Sequence, residues 1–302
     1  KFAVAVNSGT SALEIPLRAL NVKGKSIIIP TNTFMATPLA ALHAGAKVIF
    51  VDSSKDDLSI DIKDLEKKIT SNTVGIIPVH IGGVISTQWN KLKKICNSNK
   101  LFILEDAAHA HGSLINNKKA GSLGVAAAFS FYPTKVLNTG EGGMITTNDK
   151  ALYKKFVTLR DHGKKDPKHN IHSELGYNWR MAEINALLGI QQMKKVNKIL
   201  YERRAQAKLY DKLLEGTPNL KLLEIPEKIK SSYYKYIVFL NKKIRDKVKK
   251  KMKKSFGVTL PGEVYNKLCH SQPVIKKNKN VTIKIGNQSF KNAKKTSSEQ
   301  LC

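Results

Sequence analysis

Short apolar, β-branched runs recur along the first half of the chain: AVAV (3–6), SIIIP (26–30), KVIFV (47–51), VGIIPV (74–79), LFILE (101–105), AAFSF (127–131) and MITT (144–147). Stretches with helical spacing lie between most of them, at SALEIPLRAL (11–20), FMATPLAALHAG (34–45), DIKDLEKKI (61–69) and QWNKLKKIC (88–96). Regular alternation of strand and helix predicts an α/β domain on a mostly parallel seven-stranded sheet flanked by helices. The last two runs are joined too tightly for a crossover helix, so that pair is expected to be antiparallel.

From Met181 to Glu215 the pattern turns helical, with Val196, Ile199, Leu200, Arg203, Ala207, Tyr210 and Leu214 on one stripe, and Gly216, Thr217 and Pro218 stop it. Beyond that point YYKYIVFL (233–240) reads as a strand and IRDKVKKKMKKSFG (244–257) as a basic helix. The expected organisation is a large domain over residues 1–195 and a smaller C-terminal α/β domain over 196–302. The chain opens inside an apparent strand and ends in SSEQLC without a closing element. The expectation is therefore a chain truncated at both ends.

Length and composition, 302 residues with 41% hydrophobic content, fit a globular protein with a full core. No apolar run reaches the ~18 residues of a membrane span, and no signal peptide is visible. Three cysteines without metal-type spacing argue against a disulfide framework. A cytoplasmic protein with no membrane partner is expected. The net charge of +29 raises nucleic-acid binding, yet residues 241–302 alone carry 17 Lys/Arg against 3 Asp/Glu. Elsewhere the lysines are scattered, and no zinc finger, RNA-binding aromatic signature or helix-turn-helix accompanies them. A Lys-biased surface accounts for the charge, so nucleic acid is not expected as a partner. A positive field also suits an anionic small substrate.

In open α/β sheets the ligand lies beyond the carboxyl ends of the strands. NSGTSAL (7–13) follows the first strand and sets Ser, Gly and Thr before a helix. That arrangement fits a plain N-cap, and it also fits an anion bound by free N–H groups, with Gly9 allowing close approach and Thr10 adding a hydroxyl. Phe34, after the second strand, is either core or a face for a flat ligand. Asp106 follows an apolar strand as a cap, an ion-pair partner or the acid for a protonated ring nitrogen, with His109 three residues on as its support and His111 read as loop. The stretch FSFYPTKVLNTGEGG (129–143) frames Lys135 between a strand carrying Ser130 and a glycine-rich turn, unlike a solvated surface lysine. A phosphate cradle, a stacking ring, an acid and a constrained lysine together suit one cofactor, pyridoxal 5′-phosphate (PLP).

Over residues 1 to about 190 the chain resembles the DegT family of PLP-dependent sugar aminotransferases, of fold-type I. The segments that carry the resemblance are AVNSGTSAL (5–13), PTNTFMAT (30–37), GAKVIFVD (45–52), EDAAHAHG (105–112), FSFYPTKVLNTGEGG (129–143), LRDHG (159–163) and GYNWRMAEINALLG (176–189). GVTLPGEVYNKLCHSQPV (257–274) and FKNAKKTSSEQ (290–300) match more loosely. The resemblance implies that Lys135 bonds the cofactor's aldehyde and moves the proton, and that Asp106 holds the pyridine nitrogen. It implies that His109 contacts the cofactor near its hydroxyl, that Gly9, Thr10 and Ser130 bind phosphate, and that Phe34 stacks on the ring. Asn178 is implied to reach the phosphate from a neighbouring subunit, hence a homodimer with shared sites. The implied reactants are glutamate as amino donor and a nucleotide-linked keto sugar. The rivals are another PLP reaction such as sugar dehydration, in a branch that replaces the lysine with His, and a non-catalytic or regulatory fragment.

Overall fold

The computed structural model describes residues 1–166, 168–260, 264–282 and 289–302. Eight strands form the central sheet: β1 (Phe2–Val6), β2 (Ser26–Pro30), β3 (Lys47–Val51), β4 (Thr73–Ile76), β5 (Phe102–Asp106), β6 (Ala126–Ser130), β7 (Gly143–Thr147) and β8 (Val281–Thr282). Their order across the sheet is β1-β7-β6-β5-β4-β2-β3-β8. Strand β7 runs antiparallel to both neighbours, β1 and β6, as the short connection requires. All other pairings are parallel. The seven strands expected from the sequence are present. The eighth, two residues long, is added at the β3 edge by the C-terminal region.

Period-two alternation sends each strand's side chains to two separate cores. Ile27, Ile29, Val48, Phe50 and Leu104 pack on one face with α1 (Gly9–Ala19), α2 (Ala36–His43) and α5 (Lys150–Arg160). Ile28, Ile49, Val51, Ile76 and Ile103 pack on the other with α3 (Ile62–Lys68) and α4 (Trp89–Ser98). A strand apolar on both faces is dictated by this three-layer arrangement.

Residues 195 and 196 lie within one long helix, α6 (Glu183–Leu214). After it the chain builds a small antiparallel sheet from Leu220–Leu222, Val238–Leu240 and Gln300–Leu301. Two helices follow the same region, α7 (Lys242–Phe256) and α9 (Lys291–Glu299), with the one-turn α8 (Pro273–Lys276) between them. The expected strand over 233–240 is shortened to Val238–Leu240: Tyr233 has a positive φ of 47°, and Arg203 takes its carbonyl, so residues 233–236 cross as a loop. The C-terminal region is also stitched to the large sheet. Leu268, Cys269, Ile275, Phe290 and Ala293 join the first core, and Asp52 accepts the N–H groups of Asn292 and Ala293 at the start of α9.

One buried carboxylate organises the loops behind β5. Glu105 is fully buried and accepts N–H groups from Gly121 (2.9 Å), Leu123 (2.7 Å) and Gly124 (2.9 Å). His80 Nε2 lies 3.1 Å from the same carboxylate. Replacing Glu105 by Ala strands three donors and a buried imidazole without acceptors, at a cost of about 3–5 kcal/mol. Urea unfolding of Glu105→Ala is expected to show a markedly lower midpoint. An unchanged midpoint would contradict this role.

Candidate active site

Because β1, β2, β4, β5 and β6 all point the same way, their carboxyl ends share one edge. The segments singled out in the sequence leave the sheet there. At the end of β1, Ser8 caps α1 by accepting the Ser11 N–H (3.1 Å). Among the described residues no acceptor meets the N–H groups of Gly9 and Thr10, so the helix presents open donors and its positive end at this edge.

Glycine at position 9 is a steric requirement. A Cβ there would sit 2.7 Å from Ser130 Cβ, closer than any real contact. Gly143 has the same character, since its Cβ would lie 2.3 Å from the Ser8 carbonyl oxygen. The start of α1 therefore lies flush against the ends of β6 and β7, which places Ser130 beside the open N–H groups. This donor-rich corner fits a phosphate.

Asp106 ends β5 and is buried. Its Oδ2 accepts from the Thr37 hydroxyl (2.8 Å) and its Oδ1 from the Ala108 N–H (3.2 Å), which fixes the carboxyl plane. Burial pushes this carboxyl above its usual range, against the pull of Thr37, Ala108, Lys135 and His80. A cation beside it would favour the ionised form.

Lys135 is half-buried in the turn after β6, where its N–H donates to the Tyr132 carbonyl (2.9 Å). Its Nζ lies 4.7 Å from the centre of the Tyr234 ring. Burial pushes the amine down to about 8; Asp106 pulls it up and Lys235 pushes it further down. The result is an amine that sheds its proton near neutrality, as a nucleophile or proton carrier needs.

His109 is buried between two tyrosines. Gly82 donates its N–H to Nδ1 (3.3 Å), so the remaining proton sits on Nε2, which faces the Tyr265 oxygen at 3.1 Å. Its ring stacks on Tyr234 with centroids 4.1 Å apart. Burial, with Lys135 next, drives the imidazole well below its ordinary value, so it stays neutral. His111, read as loop, lies in a turn, buried against Phe129 and Phe131, and burial lowers it to about 3.

Phe34 is 61% exposed at the rim, stacked on Tyr265 at 6.0 Å, so its ring is free to cover a flat ligand. The structure thus gathers Gly9, Thr10, Ser130, Asp106, Lys135, His109 and Phe34 at one edge. Asn178 stands apart: it is exposed, and its side chain makes no hydrogen bond among the described residues. Its neighbour Trp179 does accept the N–H of Asn7, next to the cradle. Arg160 donates to the Ala5 carbonyl and Arg180 pairs with Asp161, both structural bonds.

Sequence reasoning missed Tyr234, Lys235, Tyr265 and Thr37. Thr37 lay within a quoted segment, and Tyr265 within the looser one. Tyr234 and Lys235 stood inside a presumed strand and carried no signal of their own. Residues 261–263 of that looser segment lie outside the described residues.

The site's donor set fits PLP: open N–H groups and a hydroxyl for phosphate, a buried acid for a ring nitrogen, and a depressed lysine for the aldehyde. The chain is 38% identical over 244 residues to a UDP-4-amino-4,6-dideoxy-N-acetyl-β-L-altrosamine transaminase of Campylobacter jejuni, covering 80% of this chain and 65% of that protein. It is 33% identical over 237 residues to a GDP-perosamine synthase of Escherichia coli O157:H7, covering 78% and 64%. It thus spans just under two thirds of the length of these relatives. The solved PLP form of a Streptococcus pneumoniae protein superposes with a TM-score of 0.87 at 26% identity, over 99% of this chain and 80% of that one. Aminotransferases of this kind depend on PLP. The family profile matches residues 1–302, and the chain belongs to the DegT/DnrJ/EryC1/StrS aminotransferase family.

Proposed function

We propose that the protein transfers an amino group, with glutamate as donor, to a keto sugar carried on a nucleoside diphosphate. The observation that carries this reading is the pairing of the depressed Lys135 amine with the buried Asp106 carboxyl, beside the open start of α1. The names of the relatives support the substrate class. Lysine at position 135 sets the chain apart from the dehydrating branch that has His there.

When bound, PLP supplies an electron sink for the carbon that gains or loses a proton. The N–H groups of Gly9 and Thr10 and the Ser130 hydroxyl would hold its phosphate. Asp106, locked by Thr37 and Ala108, would face its ring nitrogen, and Phe34 would cover the ring. Neutral His109, oriented by Gly82 and Tyr265, would lie near the ring hydroxyl. Lys135 would carry the proton, taking one from the α-carbon of the amino donor and, in the second half-reaction, delivering one to the sugar carbon whose carbonyl becomes an amine.

The first half of α6 supports a homodimer. Ile184, Leu187, Leu188, Ile190 and Met193 are all exposed apolar side chains there. A second copy covering them would bring Asn178 of the partner subunit toward the cradle. Buried thiols at Cys96 and Cys269 suit a reducing cytoplasm, and no helix among the described residues is long and apolar enough to cross a membrane.

With PLP, ¹⁵N-glutamate and a keto-sugar nucleotide, the protein is expected to yield a ¹⁵N-amino sugar detected by mass spectrometry. A dehydrated sugar without the label would overturn the reading. Asp106→Asn is expected to keep its fold and slow turnover on the order of 100-fold or more; near-normal turnover would contradict its role. The Lys135 amine is charged below pH about 8 and free above it. The rate at which the cofactor-free protein takes up PLP is therefore expected to rise through that pH. A midpoint close to ~10.4, the value of an ordinary lysine, would show that the site does not tune this amine.

A further inference from the structure

Lys235 is the neighbour of the site whose charge meets no carboxylate among the described residues. It follows Tyr234 in the loop that crosses the carboxyl edge, and its N–H donates to the Gly82 carbonyl (3.3 Å), the same turn that holds His109. The side chain is half-buried. Its Nζ lies 5.7 Å from the Tyr234 ring centre, and the Lys135 Nζ lies 4.7 Å from the same centre. Tyr234 is itself held in place, by a hydrogen bond to the Thr134 hydroxyl (3.0 Å) and by its stack on His109. Two ammonium groups are thus set around one fixed ring.

Like charges held against one ring repel, and partial burial strengthens the repulsion. Among the described residues no carboxylate forms an ion pair with Lys235. The acid of the site, Asp106, is already committed to Thr37, Ala108 and the field of Lys135. Its Nζ lies against the ring that also meets Lys135 and stacks on His109, and its charge acts on both groups. A cation held this way, with no acid paired to it among the described residues, can meet an anion that arrives with a ligand.

We propose that Lys235 is a binding residue for an oxyanion of the reactants, and so helps set which molecules enter. The proposal rests on the aminotransferase reading for its choice of ligand. Two reactants offer oxyanions: the carboxylates of the amino donor and the diphosphate of the sugar nucleotide. A residue within 6 Å of the ring that Lys135 also faces suits a group attached close to the reacting nitrogen, as a donor carboxylate is.

The test uses the full chain, loaded with PLP so that the phosphate cradle is filled, as wild type, Lys235→Gln and Lys235→Arg. Maleate stands for the dicarboxylate donor and inorganic pyrophosphate for the nucleotide, each titrated by calorimetry. Lys235→Gln is expected to bind one of the probes at least tenfold more weakly, with Lys235→Arg close to wild type. The probe affected identifies the source. Equal binding of both probes by wild type and Lys235→Gln overturns the proposal, even if Lys235→Gln shifts the pH dependence of PLP uptake, because Lys235 then only tunes Lys135. Absence of binding of either probe by wild type overturns it as well. If PLP does not load, the aminotransferase reading fails on its own. The titrations are then read on the cofactor-free protein, where only the part lost in Lys235→Gln counts.

Discussion

The carboxyl group of Asp106 is the constraint around which the rest of the site is arranged. It ends a strand in the middle of the sheet, where it is buried, and burial raises its affinity for a proton. The Thr37 hydroxyl and the Ala108 N–H fix its plane, and Lys135 sits within its field. A carboxyl placed this way is costly unless a cation meets it. The same burial lowers the lysine's proton affinity, so one desolvated pocket makes an acid that wants a cation and an amine that readily gives up its charge.

The sheet makes this arrangement possible. Parallel strands deliver the phosphate corner, the acid and the lysine turn to one edge from separate stretches of the chain between Gly9 and Lys135. The antiparallel strand β7 lets the lysine turn fold back tightly, and Gly9 and Gly143 let α1 lie against it without a Cβ in the way. Glu105, one residue before Asp106, points into the opposite layer and holds the loops there through three N–H groups. Adjacent positions on one strand thus divide between structure and chemistry.

Strands β1–β7 and the first helices were legible because two-sided burial writes them as short apolar, β-branched runs. Lys135, Asp106 and Gly9 were legible because each sits at a predictable strand end with unusual neighbours. Tyr234, Lys235 and Tyr265 were not. They come from the C-terminal region, reach the site only through tertiary packing, and in sequence look like an ordinary strand and loop. The short strand β8 was hidden for the same reason: two residues carry no period. The apolar stripe foreseen on α6 is buried only at Leu200 and Ala207, while the start of the helix shows its apolar side chains to solvent.

The central claim is that Lys135, among 52 Lys and Arg residues, is the one chemically singled out. The most direct measurement is to treat the protein with stoichiometric PLP at pH 8, reduce with borohydride, digest, and locate the modification by mass spectrometry. The account predicts one modified peptide, with the label on Lys135. Label spread over the surface lysines, or concentrated on another residue, would contradict it.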